Sequence, residues 1–230
     1  MYRFFLLLLL VVVPLSTTAL GAPSTKNDAV RDARALQERY QRLTSLCFDF
    51  TQITRTGGRE RYGRGEAVFL RPAGHKSVMR WDYLQPDRQV IVSDGQTLSI
   101  YTEKDKQMIV TPASALESDI TYGFFAGTRN LLDDFNALPP DTRYVSSLPG
   151  PALRSIRLVP RRPHPQIKEV QIWFDRDHLI HRIIIEDHFD TVTELTFANI
   201  RTDELRPDDT EALQQIIHLS IPPDTEIITQ

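Results

Sequence analysis

The sequence predicts an α+β fold: one amphipathic helix near the N-terminus, then an antiparallel meander of about eleven short strands with a helical insertion. Two observations carry this. Between Thr25 and Leu43, apolar residues recur every three to four positions on an otherwise polar stretch. From Cys47 onward the period changes to two, and the alternating stretches are cut repeatedly by Gly, Pro and Asp. Fifteen prolines against ten glycines suit a chain with many strand ends.

The N-terminus bears on compartment. Arg3 precedes an apolar run from Phe4 to Val13, followed by Pro14 and the small residues Ala19, Gly21 and Ala22. That order is a secretory signal peptide, residues 1–21, with the cut expected after Gly21. The apolar run is too short to span a bilayer comfortably. Residues 22–230 then form one domain, with no internal repeat and no linker to divide them. The only cysteine, Cys47, has no partner for an internal disulfide, and no cysteine follows the apolar run closely enough to carry a lipid anchor.

Within the helix, Ala29, Val30, Ala33, Leu36, Tyr40 and Leu43 share a face, and Thr25 with Asp28 makes an N-cap pair. Cys47 to Thr56 alternates, with Phe48 and Phe50 on one side. Gly57-Gly58 is a hairpin turn, and Gly65 to Leu70 is the return strand. The stretch Phe69 to Val110 holds the clearest meander: Met79, Trp81 and Tyr83 on one face, Val78, Arg80 and Asp82 on the other. Its breaks fall at Arg71-Pro72, Gln85-Pro86 and Ser93-Asp94-Gly95-Gln96. Between Thr111 and Ala137 the alternation fails, and two short helices are expected, Ala113 to Ser118 and Thr128 to Phe135. Strands resume at Tyr144 to Leu148, Leu153 to Val159, Val170 to Phe174, Leu179 to Glu186 and Thr191 to Ile200. Pro160 to Pro165, with three prolines in six residues, is a rigid loop. Leu213 to Ile228 is an apolar tail ending in a short strand.

Catalytic and metal chemistry find little support. His178 and His181 have an H-x-x-H spacing but flank a turn, with no ligand set at metal spacing beside them. Asp187-His188 sits in a hairpin turn with no activated serine or cysteine paired to it in sequence. Cys47 reads as a small buried residue rather than a nucleophile. No phosphate-binding glycine loop or dinucleotide fingerprint occurs. No enzyme activity, cofactor or metal is expected. The net charge of -3 without a basic patch gives no footprint for nucleic acid.

Several stretches resemble the LolA-type outer-membrane lipoprotein carriers. Tyr40, Leu43, Phe48, Phe50, Thr51 and Gln52 are similar to the family's helix end and first strand, and Gly65-Glu66-Ala67 with Leu70-Arg71-Pro72 to its second strand. Arg80-Trp81-Asp82-Tyr83, Gln85-Pro86, Val92-Ser93-Asp94-Gly95 and Leu98 to Tyr101 match its most specific block. Weaker matches follow at Leu158-Val159-Pro160, Phe197-x-Asn199-Ile200 and Leu219 to Pro223. The usual glycine after those prolines is replaced by Asp224 or Thr225, and Met79 stands where the family usually carries an aromatic residue.

The resemblance implies an incomplete antiparallel β-barrel of about eleven strands, covered by the N-terminal helix and a short helical lid. It implies a monomeric periplasmic carrier that takes lipoprotein acyl chains from an inner-membrane ABC exporter to an outer-membrane lipoprotein receptor. Phe48, Phe50, Phe69, Met79, Trp81, Ile91, Leu98 and Ile100 are the expected cavity residues. Leu116, Phe124, Phe125 and Leu131 belong to the expected lid, and Arg71 to its control. The alternative class is a periplasmic lipid-binding or envelope-stress sensor protein of related fold, which would bind a membrane-protein partner through the same concave sheet. Alternation alone does not say which sheet face packs the helix and which lines a cavity.

Overall fold

The computed structural model describes residues 25–74, 76–118, 120–125, 130–144 and 152–230; the expected signal peptide lies outside them. Helix α1 (Lys26–Arg42) opens with a reciprocal capping box. The Thr25 hydroxyl accepts from the Asp28 N–H, and the Asp28 carboxylate accepts from the Thr25 N–H. Twelve strands follow among the described residues: β1 (Ser45–Thr56), β2 (Arg59–Leu70), β3 (Val78–Gln85), β4 (Gln89–Ser93), β5 (Thr97–Thr102), β6 (Gln107–Pro112), β7 (Phe135–Leu138), β8 (Arg154–Pro160), β9 (Glu169–Phe174), β10 (Ile180–Glu186), β11 (Val192–Thr202) and β12 (Glu226–Thr229). They form one sheet in the order β12-β6-β5-β4-β3-β2-β1-β11-β10-β9-β8-β7. The sheet does not close, so β12 and β7 are its edges. Its neighbours run antiparallel except for β12, which adds parallel to β6.

Two layers cover the sheet. Ala29, Ala33, Leu36 and Tyr40 of α1 pack into the main core with Ile156, Leu158, Ile172 and Phe174 of β8 and β9. On the opposite face, helix α4 (Thr210–Ile217), N-capped by Asp209, lays Leu213, Ile216 and Ile217 over Val68, Leu70 and Val78. Leu219 and Ile221 then cover Val90, Val92 and Tyr101. Arg80 ties this layer down, donating to the Asp82 carboxylate at 2.6 Å and the His218 carbonyl at 2.8 Å. The two faces of β3 are therefore those its alternation predicts.

The insertion differs from its expected form. Ala113–Ser118 is a 3-10 turn, as placed, but an unanticipated helix α2 (Ile120–Phe125) follows, across Gly123, which lowers helix propensity. The second helix, α3 (Leu131–Asp134), is shorter than expected, because Phe135 leaves it to pair with Pro160 at the start of β7. Burying Phe135 and Ala137 against β8 outweighs one more helical turn. Tyr144 closes a 3-10 turn (Thr142–Tyr144) rather than opening a strand; residues 145–148 of that expected strand lie outside the described residues. β2 begins at Arg59, because Gly63 and Gly65 are part of the ladder rather than a break before it.

Candidate functional site: an apolar cavity beneath a helical lid

Alternation on β1 to β5 directs one set of side chains to the face covered by α1 and the insertion. Phe48 and Phe50 (β1), Phe69 (β2), Met79 and Trp81 (β3) and Leu98 (β5) are buried there in one cluster. Ile91 and Ile100 pack against it, half-buried. All eight expected cavity residues thus share one face. The aromatic rings form a continuous floor: Phe50 and Trp81 lie 4.5 Å apart between centroids, Phe48 and Trp81 5.5 Å, and Phe48 and Phe197 4.9 Å.

This floor bounds a cavity of about 280 Å³. Phe69, Met79, Trp81 and Ile91 line it directly; Phe48, Phe50, Leu98 and Ile100 stand beside or behind that lining. Five further lining residues escaped the sequence reading as site residues: Gln52, Tyr83, Ile185, Thr193 and Leu195. Tyr83 and Gln52 continue the parity of Trp81 and Phe50, so a signal was there. Ile185 belongs to the run Ile183-Ile184-Ile185, which shows no alternation to read. The polar members are mostly engaged. The Tyr83 hydroxyl donates to Gln52 Oε1 at 2.8 Å, and Thr54 and Thr193 hydroxyls are 3.4 Å apart. The Trp81 indole N–H is buried, with no acceptor among the described residues.

The insertion roofs the cavity. Leu116 lines it, and the Phe125 ring sits 5.1 Å from Phe48, 5.5 Å from Phe69 and 5.3 Å from Phe197. Phe124 packs 4.5 Å from Tyr40 of α1. Leu131 is buried, and its N–H donates to the Gln37 side chain of α1 at 2.9 Å. All four expected lid residues therefore belong to one covering layer with α1.

Arg71, at the end of β2, reaches the last turn of α1. Its guanidinium donates to the Tyr40 carbonyl at 2.6 Å and to that of Gln41, and its own N–H donates to the Thr44 carbonyl at 2.9 Å. These carbonyls have no partner within the helix, and the negative end of its dipole favours a cation. Tyr40 is fully buried, and its hydroxyl accepts from the Ile180 N–H at 3.0 Å; burial pushes its pKa up. Arg71 thus contacts the end of α1 at Tyr40, whose ring packs against Phe124 of the roof.

The other candidates lie elsewhere. Cys47 points to the opposite face beside Val68, buried, and burial pushes its thiol pKa up. His181 pairs with Asp175 at 3.0 Å, whereas His178 lies beside Arg154 at 3.1 Å. His188 contacts the His164 carbonyl, and Asp187 instead accepts from the N–H groups of Phe189 and Thr191.

Fold and site define an open half-barrel with an apolar hollow closed by helices. The chain belongs to the family described as Outer membrane lipoprotein carrier protein LolA, which it matches over residues 41–210. It is similar to the outer-membrane lipoprotein carrier protein of Nitrosomonas europaea, 25% identical over 201 residues, spanning 87% of this chain and 91% of that one. The protein of the same description from Methylococcus capsulatus is 27% identical over 203 residues, covering 87% and 88%. Among solved structures, an uncharacterised conserved protein from Thermus thermophilus superposes with a TM-score of 0.53 at 12% identity, over 86% of this chain and 99% of that one. MucB superposes with a TM-score of 0.52 at 15% identity, over 90% and 67%. These two likenesses concern the fold alone.

Proposed function

We propose that this protein is a periplasmic carrier that holds the acyl chains of lipoproteins against its concave face and moves them between membranes. The observation that supports it best is the aromatic-floored cavity beneath a roof of short helical segments, in a chain of the lipoprotein-carrier family. The role is binding rather than catalysis. Each acyl methylene moved into water costs about 0.8 kcal/mol, so a chain of ~15 carbons costs on the order of 10 kcal/mol. Unaided desorption across an aqueous gap is correspondingly slow, and an apolar hollow offsets most of that cost.

The cavity of about 280 Å³ lies just under the ~300–1,000 Å³ of ordinary small-ligand pockets. A long acyl chain therefore enters only when the roof of Leu116, Phe124, Phe125 and Leu131 lifts. Lifting it gives up the Phe125 contacts with Phe48, Phe69 and Phe197, so a loaded carrier is held open at a cost. That cost keeps binding loose enough for onward transfer. Arg71, through the end of α1, sets how readily the roof lifts. The donor is an inner-membrane ABC exporter and the acceptor an outer-membrane receptor; the charged, apolar and small-residue order of residues 1–21 supports a periplasmic location between them.

The test is direct. The purified protein should bind a fluorescent acyl probe and copurify with acylated polypeptide detectable by mass spectrometry, and its depletion should strand lipoproteins in the inner membrane. Absence of any acyl binding would falsify the carrier reading. An envelope response on depletion, with lipoproteins still correctly placed, would favour a sensor.

A further inference from the structure

The concave face is graded in polarity along its strands, and the gradient ends on unneutralised arginines. The β1–β2 ladder gives the sequence of rungs: Phe48 opposite Ala67, Phe50 opposite Gly65, Gln52 opposite Gly63, Thr54 opposite Arg61, Thr56 opposite Arg59. Two apolar rungs are followed by an amide rung, then by two that pair a hydroxyl with a cation. β11 repeats the trend beside them, with Phe197 against Phe50, Leu195 against Gln52 and Thr193 against Thr54. Phe50 and Thr54 are four residues apart, so ~13 Å of strand separates the aromatic floor from the first cationic rung.

The space follows the same gradient. The apolar cavity of about 280 Å³ adjoins an open hollow of about 950 Å³ at the β1–β2 hairpin end, and Gln52 and Tyr83 line both. Thr54, Gln85 and Gln89 give this mouth a polar wall, and Arg61 is its one charged lining residue. Nearby carboxylates are already taken. Glu60 lies 3.6 Å from Arg55, and Glu194 pairs with Arg55 at 3.1 Å and Arg182 at 2.8 Å. Arg61 and Arg59 are exposed and form no ion pair among the described residues. An acyl pocket beside a polar mouth that bears a guanidinium with no ion pair among the described residues fits a molecule with an apolar tail and an anionic head.

We propose that cavity and mouth together select an anionic amphiphile, its acyl chain on the Phe48–Phe50–Trp81 floor and its anionic head against Arg61. The proposal rests on the acyl-chain reading and adds to it a fixed orientation and a preference by head charge. Once bound, such a molecule lies with its tail on the aromatic floor and its head at the β1–β2 hairpin end.

The experiment is displacement of a fluorescent acyl probe from the purified protein by three competitors of one chain length: palmitoyl lysophosphatidylglycerol, palmitate and monopalmitoylglycerol. The anionic competitors should act at about tenfold lower concentration than the neutral one, the scale of one hydrogen-bonded charge contact, and the advantage should shrink with added salt. Arg61→Gln should erase the advantage and leave monopalmitoylglycerol unchanged. Arg64→Gln, an exposed arginine on the same strand that does not line the mouth, should preserve it. An advantage confined to the lysophospholipid assigns a phosphate head, and one confined to palmitate assigns a carboxylate. Equal competition by all three, or an Arg61→Gln effect equal on all three, overturns the proposal. Failure of every competitor, with no probe bound at the start, overturns the acyl-chain reading instead.

Discussion

Arg71 donates to the carbonyl of Tyr40 at 2.6 Å, and the Tyr40 ring in turn packs 4.5 Å from Phe124 in the roof. The end of β2, the last turn of α1 and the roof of the cavity are therefore linked by contact through these residues. Arg71→Leu removes the cation from two helix-end carbonyls, at a cost of about 1–3 kcal/mol. The fold should survive, with a lower melting temperature. On the proposed role of Arg71 the closed state loses more than the open one, so the variant should hold an acyl probe longer and pass it to acceptor vesicles more slowly. A transfer half-time equal to that of the parent protein would confine Arg71 to capping the helix.

Trp81 should report loading. It is one of two tryptophans; the other, Trp173, is stacked under Arg182 at 4.5 Å on β9, away from the cavity lining. An acyl chain against the floor changes the surroundings of Trp81 and leaves those of Trp173 alone. Adding the probe should shift the emission of the parent protein and leave Trp81→Phe silent. The same substitution shortens a ring packed against Phe48, Phe50, Phe69 and Phe125, so it should cost about 1–3 kcal/mol of stability through the void it leaves. An emission shift that persists in Trp81→Phe would assign the signal to Trp173 and remove Trp81 as the reporter of loading.

How much of this was legible beforehand depended on whether one residue's neighbours in sequence are also its neighbours in space. On β3, where Met79, Trp81 and Tyr83 alternate with Val78, Arg80 and Asp82, the two faces follow from the sequence, and all eight expected cavity residues share one face. The capping box at Thr25 and Asp28 was equally local. β9 was not readable in this way, since all of Glu169 to Phe174 are buried, the charged and polar positions being covered by their own ion pairs and hydrogen bonds. The insertion failed for a related reason. Phe135 looks like the end of a helix until β8 is present to pair with it, and nothing nearby in sequence announces that partner. Ile185 reached the cavity from a strand more than a hundred residues away from Trp81.

Gly65 gives a prediction that only the folded chain could supply. It stands at a register shift between β2 and β3, where the strands approach so closely that a Cβ would lie 1.8 Å from the Asp82 carbonyl oxygen. The obstacle is backbone, which cannot rotate aside. Gly65→Ala must push β3 away from β2 beneath the Phe50–Trp81 floor, and the overpacking should cost about 1–3 kcal/mol or more. Gly58→Ala is the control: a Cβ there meets nothing within 4 Å, and its backbone strain at φ +74° is confined to an exposed turn. Denaturant titration should place Gly65→Ala well below Gly58→Ala in midpoint and reduce its acyl binding, whereas Gly58→Ala should bind as the parent does. Equal midpoints would contradict the close approach of the two strands.

The convex face sets the protein's response to acid. Glu186 is 4% exposed, and its carboxylate accepts from Lys168 at 2.5 Å and from the Tyr144 hydroxyl at 2.7 Å, with Arg143 3.5 Å away. Burial by itself would raise its pKa, but the hydrogen bonds from Lys168 and Tyr144 outweigh that and hold it below the ordinary value of 4.5. The Tyr144 hydroxyl is pushed up to about 12 by burial and by its bond to Glu186. A carboxylate with a depressed folded pKa contributes stability that is fully present above its unfolded value. That contribution is lost as pH falls from about 4.5 through the depressed value. Asp175 and Asp187 are depressed in the same direction and add to the same slope. Glu186→Gln keeps an acceptor for Tyr144 but leaves Lys168 without its charge partner, so it should lower stability at pH 7 by roughly 1–3 kcal/mol. Its stability should then change less between pH 5 and pH 3 than that of the parent, because one proton fewer is taken up on unfolding. Parallel acid limbs for the two proteins, measured by urea denaturation across that range, would show that Glu186 has the same proton affinity folded and unfolded.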